Sequence, residues 1–177
     1  DITGKVLKES DKKVDNAAVL SALQKFRGKY LQTPPMFSAI KKDGVRLYDI
    51  ARKGGSADIP PREVCIYEIN ETAPLDENGE FEFSATVSKG TYIRSLVRDI
   101  GENLGTYATL TSLERTETAG FSLENCVSLD SLTAENIGGY IMPAENALPH
   151  LNGVHVTEKQ GVRFYNGGAL SLERVNT

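Results

Sequence analysis

Phe81-Glu82-Phe83-Ser84-Ala85-Thr86-Val87-Ser88-Lys89-Gly90-Thr91-Tyr92-Ile93-Arg94 changes period halfway along, and that change decides the fold. Phe81, Phe83, Ala85 and Val87 recur at every second position with polar residues between them, the pattern of a strand with one wet face. Beyond Gly90 the spacing becomes helical: Ile93, Leu96, Val97, Ile100 and Leu104 fall on one face, with Thr91 as the expected N-cap. Arg94 then sits in the first helical turn, where the dipole is positive and a cation costs roughly 0.3–1 kcal/mol unless an anion compensates. Two readings of that arginine stand: it has a carboxylate or phosphate partner, or it is a solvated side chain at a helix start.

Working upstream, Asn78-Gly79 joins this strand as a hairpin to an earlier strand over 64–69. Leu47, Ile50 and Ala51 predict a short helix stopped at Gly54-Gly55, and Asp43-Gly44 is a two-residue hairpin signal. Gln32-Thr33-Pro34-Pro35 forces extended backbone, because a residue before proline is pushed out of the helical region. A short strand is expected over 36–40 and another over 2–9. Between them, Asp15 or Asn16 caps a helix with Val19, Leu20, Leu23 and Phe26 on one face, ended by Gly28. Downstream, residues 107–116 alternate again, and Phe121 and Val127 belong to shorter strands. Ser128 and Pro143 can each open a helical turn, Thr157 with Gln160 makes a capping-box pattern, and Asn166-Gly167-Gly168 closes that last segment. The sum is an α+β protein with a mostly antiparallel mixed sheet and packed helices.

The 177 residues suffice for one good core or one and a small appendage. No apolar run approaches the ~20 residues of a membrane span, and no signal-peptide pattern is present. Cys65 and Cys126 form no CxxC and the two histidines, His150 and His155, no metal-ligand cluster, so a reducing, cytoplasmic setting without a metal is expected. Nucleotide-binding, serine-hydrolase and zinc-protease motifs are absent. Net charge is −4, yet charge is segregated. Residues 41–53 hold Lys41, Lys42, Arg46, Arg52 and Lys53 against Asp43 and Asp49, a balance of +3, whereas residues 63–82 hold seven acids and no base. The basic stretch is either a polyanion-binding surface or a solvated face.

Two stretches together resemble the TruB-type tRNA pseudouridine synthases. The first runs Gln32-Thr33-Pro34-Pro35-Met36-Phe37-Ser38-Ala39-Ile40-Lys41 and on through Gly44, Arg46-Leu47-Tyr48 and Ala51-Arg52. The second is Lys89-Gly90-Thr91-Tyr92-Ile93-Arg94 with Asp99-Ile100-Gly101 and the later Leu113, Arg115-Thr116 and Gly120-Phe121, in the same order as in that family. Glu114 departs from it, standing where many relatives have arginine.

The resemblance implies a partial pseudouridine synthase fold. Residues 1–148 would be the C-terminal portion of the catalytic domain, and 149–177 the beginning of a small, PUA-like tRNA-binding domain. It also implies an isomerase that converts uridine 55 in the T-arm loop of tRNA to pseudouridine without any cofactor. The nucleophilic aspartate of that family lies in a glycine-rich loop upstream of the motifs seen here. Asp1, the end of a later Thr-Asp-Thr-x-Asp run, is not its equivalent, and the chain by itself is expected to be inactive. Arg94, supported by Tyr92, would hold the aspartate ionised and aimed. Tyr92 and Leu113 would line the uracil pocket, with Tyr48 and Phe37 bordering it. Lys41, Lys42, Arg46 and Lys89 would meet phosphates. The expected partner is the T-arm stem-loop, bound by a monomer with no membrane involvement. The alternative is a non-catalytic RNA-binding module of the same superfamily.

Overall fold

The computed structural model describes residues 1–42 and 44–170 and divides into two compact units, Asp1–Leu113 and Glu114–Thr177. In the first, helix α1 (Asn16–Lys25) begins at Asp15, whose carboxylate accepts the Ala18 N–H at 2.7 Å. That bond satisfies one of the orphan donors of a first helical turn. Its buried face is Val19, Ala22 and Leu23; Leu20, expected inside, is 41% exposed and lies off the stripe. Strand β1 (Gly28–Gln32) follows directly, with Gly28 at φ 103° making the reversal that a residue with a Cβ resists.

Strand β4 (Arg62–Ala73) is the centre of a three-stranded antiparallel sheet, flanked by β1 and by β5 (Glu82–Val87). The hairpin expected at Asn78-Gly79 is present, with Gly79 at φ 81°. Asp76 shapes it by accepting the N–H groups of Asn78 and Glu80 at 2.9 and 2.8 Å. Helix α3 (Ile93–Asn103) and α1 pack on one face of the sheet. Val19, Leu23, Ile66, Ile69, Leu96 and Ile100 form the core there, each side chain stabilising by about 1.5–3 kcal/mol on burial. Gly101 belongs to this packing. A Cβ on it would lie 2.5 Å from the Ala108 backbone nitrogen, so glycine lets residues 107–108 cross the helix at close range.

Between β1 and β4 the chain makes a small hairpin, β2 (Lys41–Lys42) with β3 (Val45–Arg46), and then helix α2 (Leu47–Arg52). Gly44 has the φ of 81° that the turn signal demands; Asp43 lies outside the described residues. Among its described residues the second unit holds the hairpin β6 (Glu117–Thr118) and β7 (Phe121–Ser122), four single turns of 3₁₀ helix, and α4 (Glu158–Tyr165). Helix α4 opens with the expected capping box between Thr157 and Gln160. Residues 171–177 of the expected tRNA-binding segment lie outside the described residues.

Four expected strands differ. Residues 2–9, 36–40 and 107–116 form no ladder, and Val127 lies in no strand. Alternation reports which side chains could share a face, but a strand exists only through its pairing partner. The one backbone bond here between the first and third of these segments is Ile2 N–H to Leu110 C=O, at 3.0 Å. The N-cap of α3 is Tyr92 rather than Thr91, because the Thr91 hydroxyl turns back to within 3.2 Å of the Ser88 hydroxyl.

Candidate active site and nucleic-acid interface

The strand-to-helix junction is built in layers. Ser88 ends β5 by bonding twice to Cys65 of β4: its N–H donates to the Cys65 carbonyl (2.8 Å) and its hydroxyl accepts the Cys65 N–H (2.9 Å). Gly90, at φ 89°, then turns the chain into α3. Tyr92 is half-buried, Lys89 is exposed at the turn, and Arg94 stands in the first helical turn as expected.

Arg94 does have partners. One guanidinium nitrogen donates to the Phe37 carbonyl at 2.7 Å, and another lies 3.8 Å from the Asp1 carboxylate. Both side chains of that ion pair are more than a third exposed, so solvent screens it and it adds little to stability. Its significance is directional. Asp1 is held nearby because Ile2 bonds to Leu110, and the Phe37 carbonyl belongs to the proline-rich segment.

That segment is fastened along α3. The Thr33 carbonyl accepts from the Ser95 hydroxyl (2.9 Å) and from Arg98 (3.0 Å), while Arg98 also donates twice to one oxygen of Asp99 (2.9 and 2.7 Å). Burial raises the Asp99 carboxyl above its ordinary range, and Arg98 offsets only part of that. Nearby, burial pushes the Tyr30 hydroxyl pKa up to about 12. An open cleft of about 560 Å³ lies against Tyr30, Thr33, Arg98, Asp99 and Glu102, further along α3; neither Tyr92 nor Arg94 lines it.

The proline-rich segment also joins the junction to the basic hairpin. Ser38 receives the Tyr48 N–H on its carbonyl (3.2 Å), and Leu47 bonds back to Ile40 (2.8 Å). Lys41, Lys42 and Arg46 are all exposed, as the turn signal led one to expect. Lys42 donates to the Asp58 carbonyl at 2.9 Å. Arg46 donates to the Tyr48 hydroxyl at 2.9 Å and lies 5.8 Å from that ring, and Arg52 lies 5.3 Å from it. Tyr48 is thus flanked by two guanidinium groups. Arg52 counted in the sequence as part of a charge balance and of the motif that carries the resemblance, and no ring contact was assigned to it, although its placement four residues after Tyr48 on a helix predicts one. A second cleft, of about 370 Å³, lies between this hairpin and Asp58, Ile59, Pro60 and Arg62.

The structure therefore brings Tyr92, Arg94, Phe37 and Tyr48 into one connected framework, with Lys41, Lys42 and Arg46 at its outer tip. Leu113 stands at the end of the first unit with 62% of its surface exposed. Asp1 was not expected to reach Arg94, because the two are separated by nearly the whole first unit in sequence. Among the described residues no group of three or more His, Cys, Asp or Glu side chains could hold a metal ion, and no helix is long and apolar enough to cross a membrane.

Sequence comparison sets this chain among the pseudouridylate synthases. Residues 1–93 match the TruB family pseudouridylate synthase (N terminal domain), and residues 94–149 match the tRNA pseudouridylate synthase B C-terminal domain. The chain belongs to the TruB family. It is 45% identical over 177 residues to the tRNA pseudouridine synthase B of Clostridium tetani (strain Massachusetts / E88), covering 99% of this chain and 60% of that protein. It is 39% identical to the enzyme of the same name from Bacillus pumilus (strain SAFR-032), covering 97% and 59%. The chain thus spans about 60% of the length of the curated relatives it matches. Among solved structures, one described as "Crystal Structure of a Cbf5-Nop10-Gar1 Complex" is similar with a TM-score of 0.70 and 25% identity, covering 93% of this chain and 48% of that one.

Proposed function

We propose that this chain is part of an enzyme that isomerises uridine 55 in the T-arm loop of tRNA to pseudouridine. Residues 1–148 contribute the C-terminal portion of its catalytic domain, and 149–177 belong to its tRNA-binding domain. The observation that carries this reading is Arg94, a cation at the positive end of α3, set by the Phe37 carbonyl and facing a carboxylate. Such a group suits a reaction that needs an aspartate kept ionised and aimed. The reaction breaks the bond from ribose C1′ to uracil N1, rotates the base and rejoins it through C5, with no net redox change or hydrolysis.

The target base must leave the stack, at a cost of a few kcal/mol. Tyr92 and Leu113 line the pocket that receives it, with Tyr48 at its border. Lys41, Lys42, Arg46 and Lys89 bind phosphates of the folded loop, where shape and backbone contacts dominate RNA recognition. The nucleophilic aspartate comes from chain upstream of Asp1, and the enzyme works as a cytoplasmic monomer without a cofactor.

Tritium release from tRNA carrying 5-tritiated uridine tests this. The full-length protein should release tritium, the Arg94→Ala variant should lose turnover far more than tRNA affinity, and these 177 residues alone should stay at background. A full-length protein that binds tRNA but releases nothing would leave a non-catalytic RNA-binding module. Release by the 177 residues alone would mean that a carboxylate within them, Asp1 first, suffices as nucleophile.

A further inference from the structure

Gln32 is the least expected residue around the junction. It is the last residue of β1, it is polar, and only 1% of its surface is exposed. A buried amide must find partners or destabilise the fold, and an apolar side chain would fill a strand end without that demand. Gln32 finds three. Its side-chain oxygen accepts the Tyr92 N–H at 2.8 Å, and its side-chain nitrogen donates to the Tyr92 carbonyl at 3.2 Å and to the Tyr30 hydroxyl. The first two clasp a single residue from both sides, as a neighbouring strand would.

Tyr92 is where such a clasp has leverage. It is the N-cap of α3 and has no side-chain cap of its own. Its carbonyl already receives the first intrahelical bond, from the Leu96 N–H at 3.0 Å, so Gln32 acts on the group that starts the helix. On one side of Tyr92 lies Gly90, in a left-handed conformation; on the other, two residues along, is Arg94. The core face of α3 anchors the body of the helix, whereas the clasp fixes the backbone of its N-cap residue, and a long arginine side chain converts a small rotation there into a large displacement of its guanidinium.

We propose that Gln32 is a positioning residue for the isomerisation: it fixes the Tyr92 backbone and thereby the aim of Arg94, without touching substrate. This rests on the reading of Arg94 as part of the catalytic site. The same strand end continues into Thr33, whose carbonyl is held by Ser95 and Arg98, and on to Phe37, whose carbonyl is held by Arg94. Gln32 is thus the fixed end from which both the helix start and the proline-rich segment are referenced.

The test uses the full-length enzyme. Gln32→Met keeps the side-chain bulk and removes all three bonds; Gln32→Glu keeps an acceptor for the Tyr92 N–H but sets a carboxyl oxygen where the donor faced the Tyr92 carbonyl. Single-turnover rate, tRNA affinity, melting temperature and exchange of the Tyr92 amide are measured well below each variant's melting point. Gln32→Met should lower the single-turnover rate by about ten- to hundredfold, the scale of a misplacement of about 1 Å. It should leave tRNA affinity within about twofold, the mark of an interaction used after binding. Its Tyr92 amide should exchange faster, and Gln32→Glu should show a loss of the same kind. In an Arg94→Lys background, where the forked guanidinium is already gone, Gln32→Met should cost much less than in the wild type. A lowered melting temperature with the wild-type rate, or fully additive losses, would make Gln32 merely structural and overturn the proposal. An Arg94→Ala enzyme with wild-type turnover would instead remove the reading on which the proposal stands.

Discussion

Replacing Lys41, Lys42 and Arg46 together by alanine asks whether the basic hairpin is an RNA surface, and the structure sets the size of the answer. All three side chains are exposed, and the two-stranded ladder that carries them, Lys41 with Arg46 and Lys42 with Val45, is made by backbone groups that alanine retains. The variant should fold, with a loss within about 0.5 kcal/mol per site. The bond from Lys42 to Asp58 and the contacts of Arg46 with Tyr48 are exposed and contribute little to that sum. If each cation meets one phosphate, each should contribute about 0.7–0.9 to the log–log salt slope of tRNA binding. Three contacts then flatten the slope by roughly two to three. Over a fourfold rise in salt the wild type should lose affinity roughly twenty- to fortyfold more than the variant. A filter-binding or fluorescence titration of the full-length proteins at several salt concentrations measures this. Equal affinities with parallel slopes would refute the reasoning, and the three cations would then face only water.

Two further perturbations test the packing beneath the site. Gly101→Ala should destabilise the protein by about 1–3 kcal/mol, because the new methyl group meets the backbone of residues 107–108 and one of them must shift; an unchanged melting temperature would show that the crossing is loose. Asp99→Asn should change the pH profile of stability. The native carboxyl titrates above its ordinary 3.8, so its contribution is fully present below that value and is lost as pH rises through the raised one. The wild type should therefore lose stability relative to Asp99→Asn on going upward from about pH 4, and a difference that stays flat with pH would contradict the burial argument.

Much of the first unit was legible because its signals are local. The period change at Gly90, the hairpin at Asn78-Gly79 and the turn at Gly44 are each set by neighbours in sequence, and each appears where expected. The segments at 2–9 and 107–116 misled because alternation contains no information about a partner strand. Thr91 was displaced as N-cap by one residue, a shift of the kind that separates propensity from cap geometry. The site was legible in part. Arg94 was conspicuous as a cation at the wrong end of a helix, and the exposed hairpin cations were visible as charge. Asp1 and the carbonyl of Phe37 were not, because no local pattern announces a contact across more than fifty intervening residues. Gln32 stood in the sequence only as the first residue of the extended proline-rich segment, and its burial appears only once β1 and α3 meet.

Helix α3 carries its chemistry and its anchorage on one rigid rod: Arg94 in the first turn, Leu96, Val97, Ile100 and Gly101 inside the core. Inserting a single residue between Arg94 and Leu96 would rotate the arginine by about 100° about the axis and advance it by about 1.5 Å relative to everything it is referenced against. Substitution along the outer face disturbs nothing of that kind. The outer face of α3 can therefore drift by point change, but the start of the helix tolerates neither insertion nor deletion, and any viable length variation in this region must fall before Ser88 or beyond Gly105, in the turns that lead into the rod and out of it.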